Sequence, residues 1–166
     1  MTAKSSAQSK VEGMLLVLDR RSPRGLQHWG VQLKKMGLPA VIQVDDFMIE
    51  QHGALIKDLA DKGFDICGVN NEKPFWDESY DYQSAEISRI QQKFNRGLGR
   101  KLRLFGSKYF AYNEYTLQIT DKLGIDFIFA RGIPGMDAVT YRAKEYKTRI
   151  LSVSNIPSPL MGSGSL

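Results

Sequence analysis

Carboxylates stand where apolar runs of this sequence end. Asp19 closes MLLVL, residues 14–18, and the pair Asp45 and Asp46 closes a run containing Val41, Ile42 and Val44. A third run, with Phe64, Ile66 and Cys67, leads into Val69, Asn70 and Asn71. In α/β folds chemistry gathers at the carboxyl ends of strands, so these tips are the expected place for a site. Arg20, Arg21 and Arg24 follow Asp19, and Arg96, Arg100, Lys101 and Arg103 form a second basic group. Such clusters either hold an anionic ligand or nucleic acid, or simply solvate a loop. Residues 72–82, EKPFWDESYDY, mix aromatics with acids. Trp76, Tyr80 and Tyr82 can stack on a sugar or base, or cap the end of a sheet. Cys67 is the only cysteine, which excludes an intrachain disulfide and a cysteine-based zinc cluster; its apolar strand makes it a buried structural thiol.

The elements that must position these groups read as alternating strands and helices. Residues 38–71 form one complete unit. Its first strand is short and β-branched, Leu55, Ile56 and Leu59 recur at helical spacing, Gly63 suits the position just past a helix end, and a second strand follows. Two strands joined through so short a helix lie parallel in one sheet. Upstream, Leu26, Trp29, Leu33 and Met36 mark one helical face, so Trp29 and Met36 are expected in the core; His28 is expected at the surface or as a cap. Downstream, Ile87, Ile90 and Phe94 mark a helix fraying into Gly97 and Gly99, after a loop reaching Tyr82. A short strand is expected over 102–105, then a helix capped by Asn113, a strand over 126–130, a loop over 131–138 and a last strand over 148–154. A glycine after a lysine-containing helix end recurs at Gly37, Gly63 and Gly124. This alternation argues for an α/β fold with a parallel sheet. Five or six strands are visible, fewer than the eight of a closed barrel, which implies an open one.

The chain has 166 residues, 42% of them hydrophobic and 25% charged, with a formal charge of +5. That suits one soluble domain over residues 13–156, between a disordered tail at 1–12 and a flexible or truncated end at 157–166. No apolar run reaches the length of a membrane span, and the lysines near the start precede no hydrophobic segment, so a cytoplasmic location is the expectation.

The order of pieces resembles the polysaccharide deacetylase, or NodB-homology, family, from about residue 14 to 154. That family shows a strand ending in Thr-Phe-Asp-Asp-Gly, then "gvPaTfFv", then "h.eli+.la..GheIg.H", an Arg-Pro-Pro-Tyr segment, and a helix leading to "lG.d". Here the corresponding residues are 17–21, 37–42, 52–68, 106–109 and 123–126, with Gly106 in the arginine's place and Tyr109 as the one residue kept from that motif. The resemblance implies a distorted, incomplete parallel (β/α) barrel. It also implies hydrolysis of the N-acetyl amide of an amino sugar, in surface-polysaccharide metabolism. In the family the first aspartate activates water, while the second joins two histidines, spaced His-x-x-x-His, around a divalent metal. Asp19 matches the base. Arg20 stands in place of the metal-binding aspartate, and the histidine positions fall on Val69 and Lys73, none of which ligates a metal. Tyr109 matches the position whose backbone amide helps hold an oxyanion. The last family motif, with a leucine and a histidine, has no counterpart before Leu166, which suggests a truncated chain.

Two readings follow. In one the site has moved, and Asp45, Asp46 and His52, with Asn70 and Asn71, assemble an oxygen-rich site for zinc, cobalt or nickel. In the other Arg20 supplies a fixed cation in place of the metal, and a saccharide pocket lined by Arg20, Asn70, Asn71, Trp76 and Tyr80 binds without hydrolysis. An acetylated amino sugar or polysaccharide is the partner in both. A third class, anion or nucleic-acid binding through the basic clusters, predicts a steep loss of binding with salt. Nothing in the sequence specifies an oligomeric state.

Overall fold

The computed structural model describes residues 14–17, 23–132 and 139–153. Asp19, Arg20 and Arg21 lie outside them, as do the expected tails. The elements run β1 (Met14–Val17), α1 (Pro23–Met36), β2 (Ala40–Val44), α2 (Asp46–Asp61), β3 (Asp65–Asn70), α3 (Tyr80–Leu98), β4 (Leu104–Ser107), α4 (Glu114–Lys122), β5 (Phe127–Arg131), β6 (Thr140–Tyr141) and β7 (Arg149–Val153). Among the described residues the strands form one sheet in the order β1-β2-β3-β4-β5-β7-β6. All pairs are parallel except β6 with β7. The sheet is thus an open, mostly parallel barrel wall, with every parallel strand delivering its carboxyl end to the same rim.

The expected unit at residues 38–71 is present as β2, α2 and β3, with Val41 to Val44 registered on Asp65 to Gly68. Gly63 follows the end of α2 with φ 95, and Gly37 and Gly124 serve likewise at φ 66. A left-handed backbone there carries no Cβ penalty only for glycine. Asn113 caps α4 as expected, reciprocally with Thr116.

Helix α1 departs from expectation. Trp29 and Met36 are more than half exposed, and the buried face is Leu26, Gly30 and Leu33. Gly30 sets this rotation: a Cβ there would lie 2.5 Å from Leu59 Cδ2, so the bare backbone is what lets α1 settle on α2. Apolar spacing alone favoured the larger side chains, and a contact through glycine has no hydrophobic signature. Helix α3 begins earlier than expected, at Tyr80 behind a Ser79 cap, and runs through Gly97 to Leu98 before Gly99 ends it. Strand β4 lies two residues further along than expected, and the two-residue β6 carried no alternation to mark it. His28 is exposed, as expected.

The core lies between sheet and helices. Ile42, Val44, Phe105, Ile128 and Ile150 meet Ile56, Leu59, Ile87, Ile90, Phe94 and Leu117. Gly68 permits close approach of α3 to β3, since a Cβ there would lie within 3.0 Å of Leu102, Ile90 and Phe94. On the opposite face of the sheet Gln43, Cys67 and Phe129 surround Gly106.

Candidate functional site

The ends of β2 and β3 carry the polar tips, and the fold commits them to one another. Asp45 is buried; its Oδ1 accepts from the Met48 amide at 2.9 Å, which caps α2, and its Oδ2 accepts from the Asn71 side chain at 3.3 Å. Asp46 pairs with Arg89 of α3, and Arg89 also holds Glu86 at 2.7 Å. Glu86 in turn accepts from Asn70 Nδ2 at 3.0 Å, while Asn70 Oδ1 accepts from the Glu72 amide at 2.7 Å. Asp46, Arg89, Glu86 and Asn70 therefore form a continuous chain that ties two helices to a strand tip. The hydrogen bond to Glu86 is the main reason the Arg89 guanidinium is held protonated more firmly than usual.

This network gives several of the candidate residues a structural part. Asn70 is 1% exposed and hydrogen-bonded through both its amide nitrogen and its amide oxygen, so it braces the rim; Asn71 is exposed beside it. Asp45 and Asp46 are a helix cap and an ion-pair partner. His52 sits within α2 at a break in helical geometry (φ −133, ψ 26). Among the described residues no three His, Cys, Asp or Glu side chains gather closely enough to hold a metal ion, so the relocated site is not assembled there. At the family's ligand positions, Val69 is a buried apolar strand residue, and Lys73 lies 3.5 Å from Glu78 with its ammonium over the Tyr82 ring. This donor set does not fit a divalent metal. Glu86 and Arg89 were missed in the sequence. Their three-residue spacing marks a helical ion pair, but nothing local links Arg89 to Asp46, 43 residues away.

The aromatic half of the site is built from the loop after β3 and the turn after β4. Phe75 is fully buried against Phe105 and Tyr82. The buried Gln83 amide nitrogen donates to the carbonyls of Phe75 and Glu78 at 3.3 and 2.8 Å, and Asn113 Nδ2 donates to the Trp76 carbonyl at 3.1 Å. Pinned on both sides, the loop presents Trp76 outward, 49% exposed. Its ring lies 6.4 Å from that of Tyr109, which is 62% exposed, with their planes 20° apart. Tyr109 and Phe110 have φ of 60 and 56, and neither is glycine. Two successive left-handed residues cost about 1–2 kcal/mol each. The turn is closed by Ser107 Oγ donating to the Ala111 carbonyl, and by Phe110 resting on Phe129. Strain of this kind persists only where surrounding contacts over-determine it, and here those contacts set Tyr109 beside Trp76. Of the other aromatics, Tyr80 packs edge-on against Tyr115 and Tyr82 against Phe75, so both turn towards the core.

The second basic cluster is dispersed. Arg100 pairs with Asp61, and Arg103 with Asp126 at 2.6 Å. A cleft of about 600 Å³ between α2 and α3 is lined by Glu50, Lys93 and Arg96, but Lys93 is paired with Glu50.

An open, mostly parallel α/β barrel with its polar and aromatic residues on the carboxyl rim is the class of protein that fold and site define. The polysaccharide deacetylase family model matches residues 14–128, and the chain belongs to that family. No curated protein sequence matches it. Among solved structures it is similar to a CE4 family pseudoenzyme from Bacillus anthracis, at TM-score 0.63 and 14% identity over 72% of this chain. It is also similar to a family 4 carbohydrate esterase from Streptomyces lividans in complex with acetate, at 0.63 and 19% over 77% of this chain. A third is the Streptococcus pyogenes deacetylase PplD, also in complex with acetate, at 0.64 and 15% over 87% of this chain. The chain spans 42%, 66% and 75% of those three proteins respectively. At such identities the likeness is one of fold.

Proposed function

We propose that this chain binds an acetylated amino-sugar polymer at its carboxyl rim without cleaving the amide. The observation that carries this reading is the donor set: Arg20, Val69 and Lys73 occupy the family's three ligand positions, while an exposed aromatic pair is kept on the rim. The family acts on acetylated polysaccharides. Trp76 and Tyr109 supply flat apolar faces with polar edges, the chemistry that receives the C–H face of a sugar ring. With this shelf and without those ligands the chain holds substrate-like polymer but supplies no metal-activated water. The Bacillus anthracis relative is itself described as a pseudoenzyme, and one of its mutants as having restored enzymatic activity. No helix among the described residues is long and apolar enough to cross a membrane.

Calorimetric titration with N-acetylglucosamine oligomers, beside an acetate-release assay with added zinc, cobalt or nickel, tests the proposal. Binding that Trp76→Ala weakens by about tenfold, with no acetate released, is the expected result. Reinstalling the ligands as Arg20→Asp, Val69→His and Lys73→His together should then bring metal binding. Metal-dependent acetate release by the unaltered chain would overturn the reading.

A further inference from the structure

Positive charge in this chain is concentrated around α1, away from the aromatic shelf. Residues 20–44 hold five basic residues and no acidic one, so this stretch equals the formal charge of +5 and the rest of the chain is balanced. Within α1, Arg24 and Lys35 are exposed, and neither forms an ion pair among the described residues. Lys34 points another way: its Nζ donates to the Lys62 carbonyl, just past the end of α2, at 2.8 Å. Together with the contact of Gly30 on Leu59, that bond fixes which side of α1 faces α2. Trp29 and Met36 are seven residues apart and so share one side of the helix, the side turned away from Lys34 and α2. They are 52% and 57% exposed. Leu38, 44% exposed, follows just past Gly37, its amide tied to the Leu33 carbonyl at 3.1 Å. Arg24, His28 and Lys35, at spacings of four and seven, line up along the exposed surface of the same helix. Large apolar side chains left in water and bordered by unpaired cations mark an interaction surface.

We propose that α1 seats the protein on an anionic phospholipid surface, with Trp29, Met36 and Leu38 at the headgroup boundary and Arg24 and Lys35 on lipid phosphates. The proposal is independent of the saccharide reading. Charge complementarity selects the occupant, because an acid-free helix with unpaired cations is attracted to a negative surface and repels a second copy of itself. A folded protein partner needs about 1,000 Å² of complementary contact, which one convex helix about 21 Å long does not offer; a bilayer asks for no complementary shape. Nucleic acid would use the cations but not an exposed methionine and leucine. Tryptophan and aliphatic side chains flanked by arginine and lysine are the composition of a helix that lies in the interface without spanning it. Since α1 packs on the outside of the sheet, docking through its outer side leaves the carboxyl rim open.

Co-sedimentation of the full chain with vesicles of phosphatidylglycerol and phosphatidylcholine in equal parts, beside vesicles of phosphatidylcholine only, tests the proposal. Partitioning onto the anionic vesicles and not the neutral ones, weakening as salt is raised, is the expected result. Arg24→Gln and Lys35→Gln should each lower it about fivefold, and Trp29→Ala about tenfold. The charge variants provide a second reading should Trp29→Ala fold poorly. In Trp76→Phe, which leaves Trp29 as the only tryptophan, fluorescence emission should shift to the blue on binding. No partitioning onto anionic vesicles, an unshifted emission, or partitioning unchanged by all three α1 substitutions overturns the proposal. Tighter binding to a DNA duplex at the same salt also overturns it, by giving the cations to nucleic acid. So does a dimer that Trp29→Ala dissociates, which would give the apolar stripe to a second copy.

Discussion

Gln43 offers the sharpest test of the energetics behind the rim. It lies on β2, one residue before Val44, and is 6% exposed. Its amide nitrogen is buried and has no hydrogen-bond partner among the described residues. It faces Gly106, where a Cβ would come within 3.2 Å of that nitrogen, and shares this side of the sheet with Cys67 and Phe129. A buried donor left unpaired costs about 1–3 kcal/mol, and an apolar side chain of similar volume removes that cost without opening a cavity. Gln43→Met should therefore stabilise the protein by about 1–3 kcal/mol, which at about 2–4 °C per kcal/mol for a chain of this size is readily seen as a rise in Tm. Urea unfolding followed by circular dichroism gives the free energy, and an unchanged m value shows that the denatured state is not the cause. Gly106→Ser is the companion variant. Its hydroxyl can accept from Gln43 but has no donor to meet in Gln43→Met, so the two substitutions should couple, with serine better tolerated beside glutamine. A loss of stability in Gln43→Met would refute the reasoning, because it would mean that the amide makes a bond worth more than its desolvation.

Two further outcomes follow from the packing. Gly68→Ala places a methyl within 3.0 Å of Leu102, Ile90 and Phe94, and overpacking of this kind should cost about 1–3 kcal/mol in the same unfolding assay; an unchanged midpoint would mean that α3 can move off β3. Burial pushes the Cys67 thiol well above its usual range, whereas the unfolded thiol ionises near pH 8.5 or so. The stability this contributes is complete below that pH and falls by about 1.4 kcal/mol per unit above it, until the folded thiol itself titrates. Comparing urea midpoints at neutral and alkaline pH should show a steeper decline for the unaltered chain than for Cys67→Ala. Equal slopes would place the thiol in contact with water.

Much of the framework was legible because strands and helix ends declare themselves locally. The runs at Val41–Val44 and Ile66–Val69, the stops at Gly37, Gly63 and Gly124 and the cap at Asn113 each depend on neighbours within a few residues, and each stands where its spacing placed it. Resemblance in the order of these pieces pointed to the polysaccharide deacetylase family, in whose ligand positions the resemblance sets Arg20, Val69 and Lys73. An acidic pair at a strand tip is more often a helix cap with a solvated acid than a metal site, and the sequence left both readings open. Only the arrival of Arg89 from a distant helix and of Asn71 from the next strand decides that question.

Residue types and short-range periodicity thus determined the fold class and the parallel unit at residues 38–71. Tertiary structure decided which side chains meet. It turned Trp29 outward through the Gly30 contact, buried Asn70, and set Trp76 beside Tyr109 on a strained turn. The physical reason is the range of the interactions involved. Propensity, capping and turn chemistry act over a few residues, whereas close approach through a glycine, ion pairing between helices and ring contact between loops depend on how separate elements pack, for which no spacing in the chain is a proxy.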